Sequence, residues 1–206
     1  SGPVTPIGIN LPNDQSVREE HGSKSISLSN VTEAYELSRP PAYRREFTWT
    51  EEEAVRSEKW GNLASELNTN MHEVIGHASG RLSDRLDGNP QAFLKEQYSA
   101  LEESRADLVA LYFIADPKLV EIRAVPADDH EELIRTQYES YTRNALLQLR
   151  RVREGSQLEE DHMRNRQMIV YWIMDNTEAI ATHERDGKTF YVMTDWRAFR
   201  EGVGHL

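Results

Sequence analysis

His72-Glu73-Val74-Ile75-Gly76-His77 is the stretch on which the reading of this chain turns. It has the form of the H-E-x-x-H zinc pattern with one residue inserted before the second histidine. At about 100° per residue, histidines four apart are offset by about 40° and share a helix face, whereas histidines five apart diverge by about 140°. A regular α-helix over 72–77 would therefore send the two imidazoles to different sides. A π-type turn, widened by one residue, returns His77 to the side of His72. Gly76 stands where that distortion falls, with no Cβ to resist unusual torsions or close backbone approach. Glu73 follows the first histidine directly, which places it to take a proton from a metal-bound water as general base. The bland alternative is two ordinary histidines on an amphipathic helix, since a motif this short also arises by chance.

A second segment, Leu101-Glu102-Glu103-Ser104-Arg105-Ala106-Asp107, places three carboxylates on a stretch otherwise rich in Leu and Ala, with Glu103 and Asp107 on one helix face. The chain has no cysteine, so any zinc must be held by histidine and carboxylate. Two histidines and one carboxylate leave the fourth position open to water, which is a catalytic rather than a structural ligand count. With Glu103 as that carboxylate, Glu102 and Asp107 become partners for the free ring N–H groups of the two histidines. Taken alone, these acids read equally well as a solvated helix face.

Outward from these segments, the pattern is mainly helical with minor β elements. Thr50-Glu51-Glu52-Glu53 is a capping box that opens the helix leading to His72, with Gly61 a candidate break. Asn89-Pro90 reads as cap and first position of one long helix to Asp116-Pro117, carrying Phe93, Leu94, Leu101, Leu108 and Tyr112. Helices are also expected from Leu28 to Leu37, before Pro40-Pro41, then over 129–153 and 159–174, the last two separated by Gly155. Asp186-Gly187 between two β-rich runs predicts a hairpin, and Asp195 caps a final short helix. The Pro-punctuated stretch from Pro3 to Asn13 predicts extended chain, followed by a polar linker through Gly22 and Ser23.

At 206 residues the chain can bury one substantial core. Its net charge of -11, from 35 acidic against 24 basic residues, repels nucleic acid and anionic membrane alike. No apolar run reaches the roughly 20 residues that span a bilayer. The absence of cysteine fits an intracellular, cytoplasmic setting.

Four segments in order resemble the dipeptidyl peptidase III family. They are Gly8-Ile9-Asn10-Leu11-Pro12-Asn13, His72 to His77, Glu102 to Asp107, and His162-Met163-x-x-Arg166. Ser104 stands where the family has a cysteine that is not a ligand. The resemblance implies one Zn2+ per chain held by His72, His77 and Glu103, with Glu102 and Asp107 supporting the histidines and Glu73 as base. It implies that His162 hydrogen-bonds the substrate carbonyl or the tetrahedral intermediate, with Arg166 one helical turn on at the same site. Asn10 and Asn13 would hold the N-terminal end of a short peptide, which pairs as an added strand with residues 7–10.

The implied activity is a zinc-dependent exopeptidase that releases dipeptides from the N-terminus of short peptides. Family members are longer and have two lobes, so the expectation is a catalytic-domain fragment whose partners are short peptides and the remaining lobe. Residues 1–22 would form the substrate-binding strand and linker, and residues 23–206 the helical zinc domain. Two other functions stay open. One is a zinc aminopeptidase or oligopeptidase of different cleavage register; the other is a non-catalytic zinc-stabilised helical module, against which Glu73 argues because a structural site needs no base.

Overall fold

The computed structural model describes residues 8–12, 14–37, 42, 45, 47–86, 89–149 and 161–206. At its start, strand β1 (Gly8–Leu11) pairs antiparallel with β2 (Lys24–Ser27), Ile9 opposite Ile26 and Asn10 opposite Ser25. Between them lies helix α1 (Gln15–His21), where the sequence predicts a polar linker. Asp14 makes the difference: its Oδ1 accepts from the backbone N–H of Ser16 at 2.9 Å and of Val17 at 3.2 Å, and Gly22, at φ +78°, ends the helix. The expected extended residues 3–7 and Asn13 lie outside the described residues.

Helix α2 (Ser29–Leu37) forms as its apolar spacing predicts. Helix α3 (Glu51–Met71) begins at the capping box, where Thr50 Oγ1 accepts from the Glu53 N–H at 3.1 Å. The Glu53 carboxylate reaches back one residue further than expected, to the Trp49 N–H at 2.7 Å. Gly61 does not break this helix, which runs directly into a π-helical turn over His72–Gly76. Asn89 caps α4 (Pro90–Leu94) as predicted, accepting from the Ala92 N–H at 3.1 Å. The single long helix expected beyond it does not exist. Lys95 adopts φ +49°, a 3-10 turn covers Lys95–Gln97, and α5 (Tyr98–Phe113) starts afresh. Lys, Glu and Gln are good helix formers, so tertiary position and not propensity sets that break.

Helix α6 (Lys118–Glu121) follows Pro117, and α7 (His130–Leu149) and α8 (Asp161–Asn176) occupy the two predicted long stretches. The expected boundaries at Arg153, Gly155 and Glu159 lie outside the described residues. Strands β3 (Ile180–Arg185) and β4 (Lys188–Met193) form the predicted hairpin, and Asp186 and Gly187 both take the positive φ that a tight two-residue turn requires. Helix α9 (Trp196–His205) is capped by Asp195, whose Oδ1 accepts from the Arg197 N–H at 2.8 Å.

Mainly helical packing results. Helix α3 lies along α7, α5 packs on α8 and on the π turn, and α9 closes against α5, α7 and α8. Leu111, Ile114, Leu133, Tyr138, Ile169 and Phe199 are fully buried between them. The Tyr138 and Phe199 rings stack at 4.3 Å between centroids. The α3/α7 seam also holds buried charge, compensated by pairing: Arg56 bridges Glu132 and Glu139, each at 3.0 Å, and Arg143 pairs with Glu53. At the far end, Arg185 of the hairpin donates to the Thr48 and Trp49 carbonyls at 2.9 Å each and lies over the Trp49 ring at 4.7 Å. No helix among the described residues is long and apolar enough to cross a membrane.

Truncating Phe199 to Ala empties the centre of the α7/α9 contact and leaves Tyr138 without its stacking partner. The expected loss is about 3–5 kcal/mol. A denaturant titration should read it as a lower midpoint at unchanged slope.

Candidate metal centre and active site

The site lies where the π turn at the end of α3, helix α5 and the start of α8 meet. The His77 N–H donates to the His72 carbonyl five residues back at 2.9 Å, which is the π hydrogen bond that the five-residue spacing demands. It brings the two imidazoles together edge to face, with 4.6 Å between centroids. Gly76 earns its place by contact. A Cβ there would fall 2.9 Å from both the Cα and the carbonyl oxygen of Ala106, so only glycine lets α5 approach this closely.

That approach sets the rest of the geometry. His72 Nδ1 lies 2.7 Å from Asp107 Oδ1, and His77 Nδ1 lies 3.1 Å from Glu102 Oε1. Both Nδ1 atoms are thus committed to carboxylates, which leaves both Nε2 atoms on the side of Glu103. Glu103 Oε2 is 3.2 Å from His72 Nε2 and 3.7 Å from His77 Nε2. It is buried, and despite these short distances it makes no hydrogen bond of acceptable geometry. Atoms placed in this way converge on a shared point rather than on one another. His72, His77 and Glu103 could hold a metal ion, with their ligand atoms all within 4.8 Å of one another.

The protein's own electrostatics favour positive charge here. Burial by itself lowers the His72 pKa, but the hydrogen bond to Asp107 and the adjacent Glu103 carboxylate outweigh it and raise the value to about 10. Burial raises the carboxyl of Glu102, yet hydrogen bonds from His77 and Arg105 bring it down to about 2. Glu103 and Asp107 are likewise held below the ordinary carboxylate range, in each case against burial, chiefly by the adjacent His72 imidazole. Three ionised carboxylates therefore surround two imidazoles.

Of the residues singled out in the sequence, His72, His77, Glu102, Glu103 and Asp107 lie together. His162, at the start of α8, joins them with Nδ1 3.4 Å from Glu103 Oε2, and its side chain is 57% exposed. Glu73 is half-buried in the π turn beside His72. Arg166 lies one turn beyond His162 with its guanidinium carbon 4.7 Å from the Tyr141 ring centroid, and its charge helps lower Asp107. Asn10 sits in β1, and Asn13 is outside the described residues.

Several participants are not among the residues that the sequence singles out. Arg105 donates to Glu102 at 2.7 and 2.9 Å and to the Ser79 carbonyl at 2.9 Å; its place three residues after Glu102 on a helix is a signal that could have found it. Arg18 of α1 donates to the His77 carbonyl at 3.0 Å, and Ser25 of β2 donates to the Glu73 carbonyl at 3.1 Å, so the N-terminal arm grips the π turn. The Tyr141 hydroxyl, from α7, donates to Asp107 Oδ2 at 2.8 Å. Burial and the Asp107 charge push that phenol well above its ordinary pKa, so it stays protonated and donates. No sequence signal marks Arg18, Ser25 or Tyr141.

The sequence pattern described as peptidase family M49 matches residues 1–98 and 86–202. Dipeptidyl peptidase 3 of Mus musculus is 27% identical over 212 residues, covering 88% of this chain and 28% of that protein. The structure of DPP III from Corallococcus sp. strain EGB superposes with a TM-score of 0.69 at 23% identity, over 97% of this chain and 35% of that one. That of DPP III from Caldithrix abyssi gives 0.67 at 22% identity, over 98% and 35%. The structural likeness is one of fold. The chain spans about a third or less of the length of each of these relatives.

Replacing Gly76 with Ala forces the π turn and α5 apart. Overpacking of this kind costs about 1–3 kcal/mol, and the expected outcome is a lowered unfolding midpoint. Because Ala is the better helix former by roughly 1 kcal/mol, an unchanged or raised midpoint would mean that the contact with Ala106 does not constrain the site.

Proposed function

This chain belongs to peptidase family M49, and from that premise we propose that it forms the zinc-binding catalytic part of a cytoplasmic dipeptidyl peptidase, which removes dipeptides from the free N-terminus of short peptides. The observation that carries the reading is the convergence of His72 Nε2, His77 Nε2 and Glu103 Oε2 while both Nδ1 atoms are tied to carboxylates. Ligand atoms about 2.05 Å from a tetrahedral zinc lie about 3.3 Å apart. The separations of 3.2 and 3.7 Å from Glu103 Oε2 to the two Nε2 atoms lie close to that requirement, and all three ligand atoms fall within 4.8 Å of one another. The donor set of two imidazoles and one carboxylate, without cysteine, is that of a catalytic zinc site.

When bound, zinc supplies Lewis acidity to the scissile carbonyl and acidifies a water at the open position. The chain's own residues do the rest. Glu73 accepts the proton of the attacking water on its carboxylate and passes it to the departing amine. His162, exposed at the edge of the site, donates to the carbonyl oxygen as negative charge develops there, and Arg166 contributes positive charge one turn further on. Asp107 and Glu102 hold the two imidazoles in the tautomer that leaves Nε2 free for the metal. Strand β1 has β2 as its one neighbour among the described residues, and its other edge suits an extended peptide paired as an added strand. Asn10 and Asn13 would hold the substrate's N-terminal end, together with the remaining lobe of the parent protein.

Two variants test the assignment in the intact protein. Glu103→Ala should lose zinc at neutral pH, read by elemental analysis after dialysis against a chelator, because one of three protein ligands is gone. Full zinc occupancy in that variant would remove Glu103 from the ligand set.

Glu73→Gln should keep its zinc and lose about 10²–10⁴-fold in turnover of a dipeptidyl arylamide, since the amide preserves shape but cannot take the proton. Turnover within a few-fold of the parent would end the general-base role.

A further inference from the structure

Two tyrosines on α7 reach across to α5. Tyr138 and Tyr141 are both buried, at 0% and 2% exposure, and sit one turn apart. Their hydroxyls donate to acceptors that are also one turn apart: Tyr138 to the Leu111 carbonyl at 2.7 Å, and Tyr141 to Asp107 Oδ2 at 2.8 Å. The chemistry of the two acceptors differs. The Leu111 carbonyl is backbone and cannot turn. Asp107 is a side chain whose other oxygen, Oδ1, holds His72 Nδ1 at 2.7 Å.

A carboxylate held at one oxygen can rotate about its Cβ–Cγ bond, and with it swings the hydrogen bond that orients the imidazole. Held at both oxygens, its plane is fixed, and so is the direction of His72 Nε2. Burial makes the second donor matter more, because Asp107 is 5% exposed and has little water to replace a missing partner. The same tyrosine has a second use: Arg166 lies over its ring face, with the guanidinium carbon 4.7 Å from the centroid. One rigid side chain from a helix that bears none of the candidate metal ligands therefore touches two members of the site.

We propose that Tyr141 is a positioning residue of the metal centre, its hydroxyl fixing Asp107 and through it the metal-facing nitrogen of His72, and its ring supporting Arg166. This rests on the zinc reading of His72, His77 and Glu103. Tyr138 is the internal control, since it makes the same kind of bond between the same two helices with no route to the metal.

The test is zinc affinity by competition with a chromogenic chelator, on the intact protein and its Tyr141→Phe and Tyr138→Phe variants, together with the unfolding midpoint of each in the metal-free state. Both variants lose one buried hydroxyl hydrogen bond and should unfold somewhat earlier. Only Tyr141→Phe should bind zinc more weakly, by about three- to tenfold, less than the roughly 10–100-fold lost with a ligand's direct partner, because Tyr141 acts through Asp107. In an Asp107→Asn background the Tyr141→Phe change should cost no further affinity. Equal zinc affinity in Tyr141→Phe and the parent overturns the proposal, and so does an equal loss in Tyr138→Phe. Parent-like affinity in Asp107→Asn alone also overturns it, because Tyr141 would then have nothing to act through. A parent protein that takes up no zinc overturns the metal reading itself, an outcome distinct from the others.

Discussion

The hydrogen bond from the His77 N–H to the His72 carbonyl is the constraint to which the rest of the site answers. Closing the backbone ring five residues back instead of four turns the second imidazole toward the first. The widened turn in turn needs a neighbour that can approach its backbone, and Gly76 against Ala106 provides that approach. Helix α5 is thereby held at the distance where Glu103 faces both Nε2 atoms and where Asp107 and Glu102 reach the two Nδ1 atoms. Each later feature of the centre is a consequence of that one altered ring.

Around this centre the protein invests charge as well as geometry. Carboxylates are costly to bury, and here three are held ionised by imidazole, guanidinium and phenol partners. Arg105 pins Glu102 from the same helix, and Arg18 reaches the His77 carbonyl from the N-terminal arm. Tyr141 completes Asp107 from α7. The supports come from different parts of the chain, so the site is stiff only when those parts are assembled.

Local chemistry was readable from the sequence wherever it is written within a few residues. The capping residues Thr50, Asn89 and Asp195, the Asp186-Gly187 turn and the π turn itself all follow from short-range rules, and the structure has them where the residues place them. What escaped depends on tertiary position. Lys95 breaks a stretch made of good helix formers and Gly61 does not break one, whereas α1, in a stretch that reads as linker, carries in Asp14 a local cap signal of its own. The site divides in the same way. Its candidate ligands and their carboxylate partners are adjacent in two short segments, whereas Tyr141 lies 34 residues from Asp107 and Arg18 lies 59 from His77. Nothing local to those residues announces their partners.

The clamp between Arg185 and the start of α3 bears on how the protein is made. Thr48 and Trp49 stand at the head of the helix that delivers His72, and their carbonyls are bound by a hairpin 136 and 137 residues later. Contacts of such sequence separation are slow to form, because closing so long a loop costs entropy that local contacts do not. During synthesis, residue 185 must leave the ribosome before the head of α3 acquires this anchor. The candidate ligands are therefore translated well before their scaffold is locked. A nascent chain passes through a stage in which His72 and His77 are present but not yet rigidly held, and it is in that stage that a wrong metal or a wrong helix pairing has its opportunity.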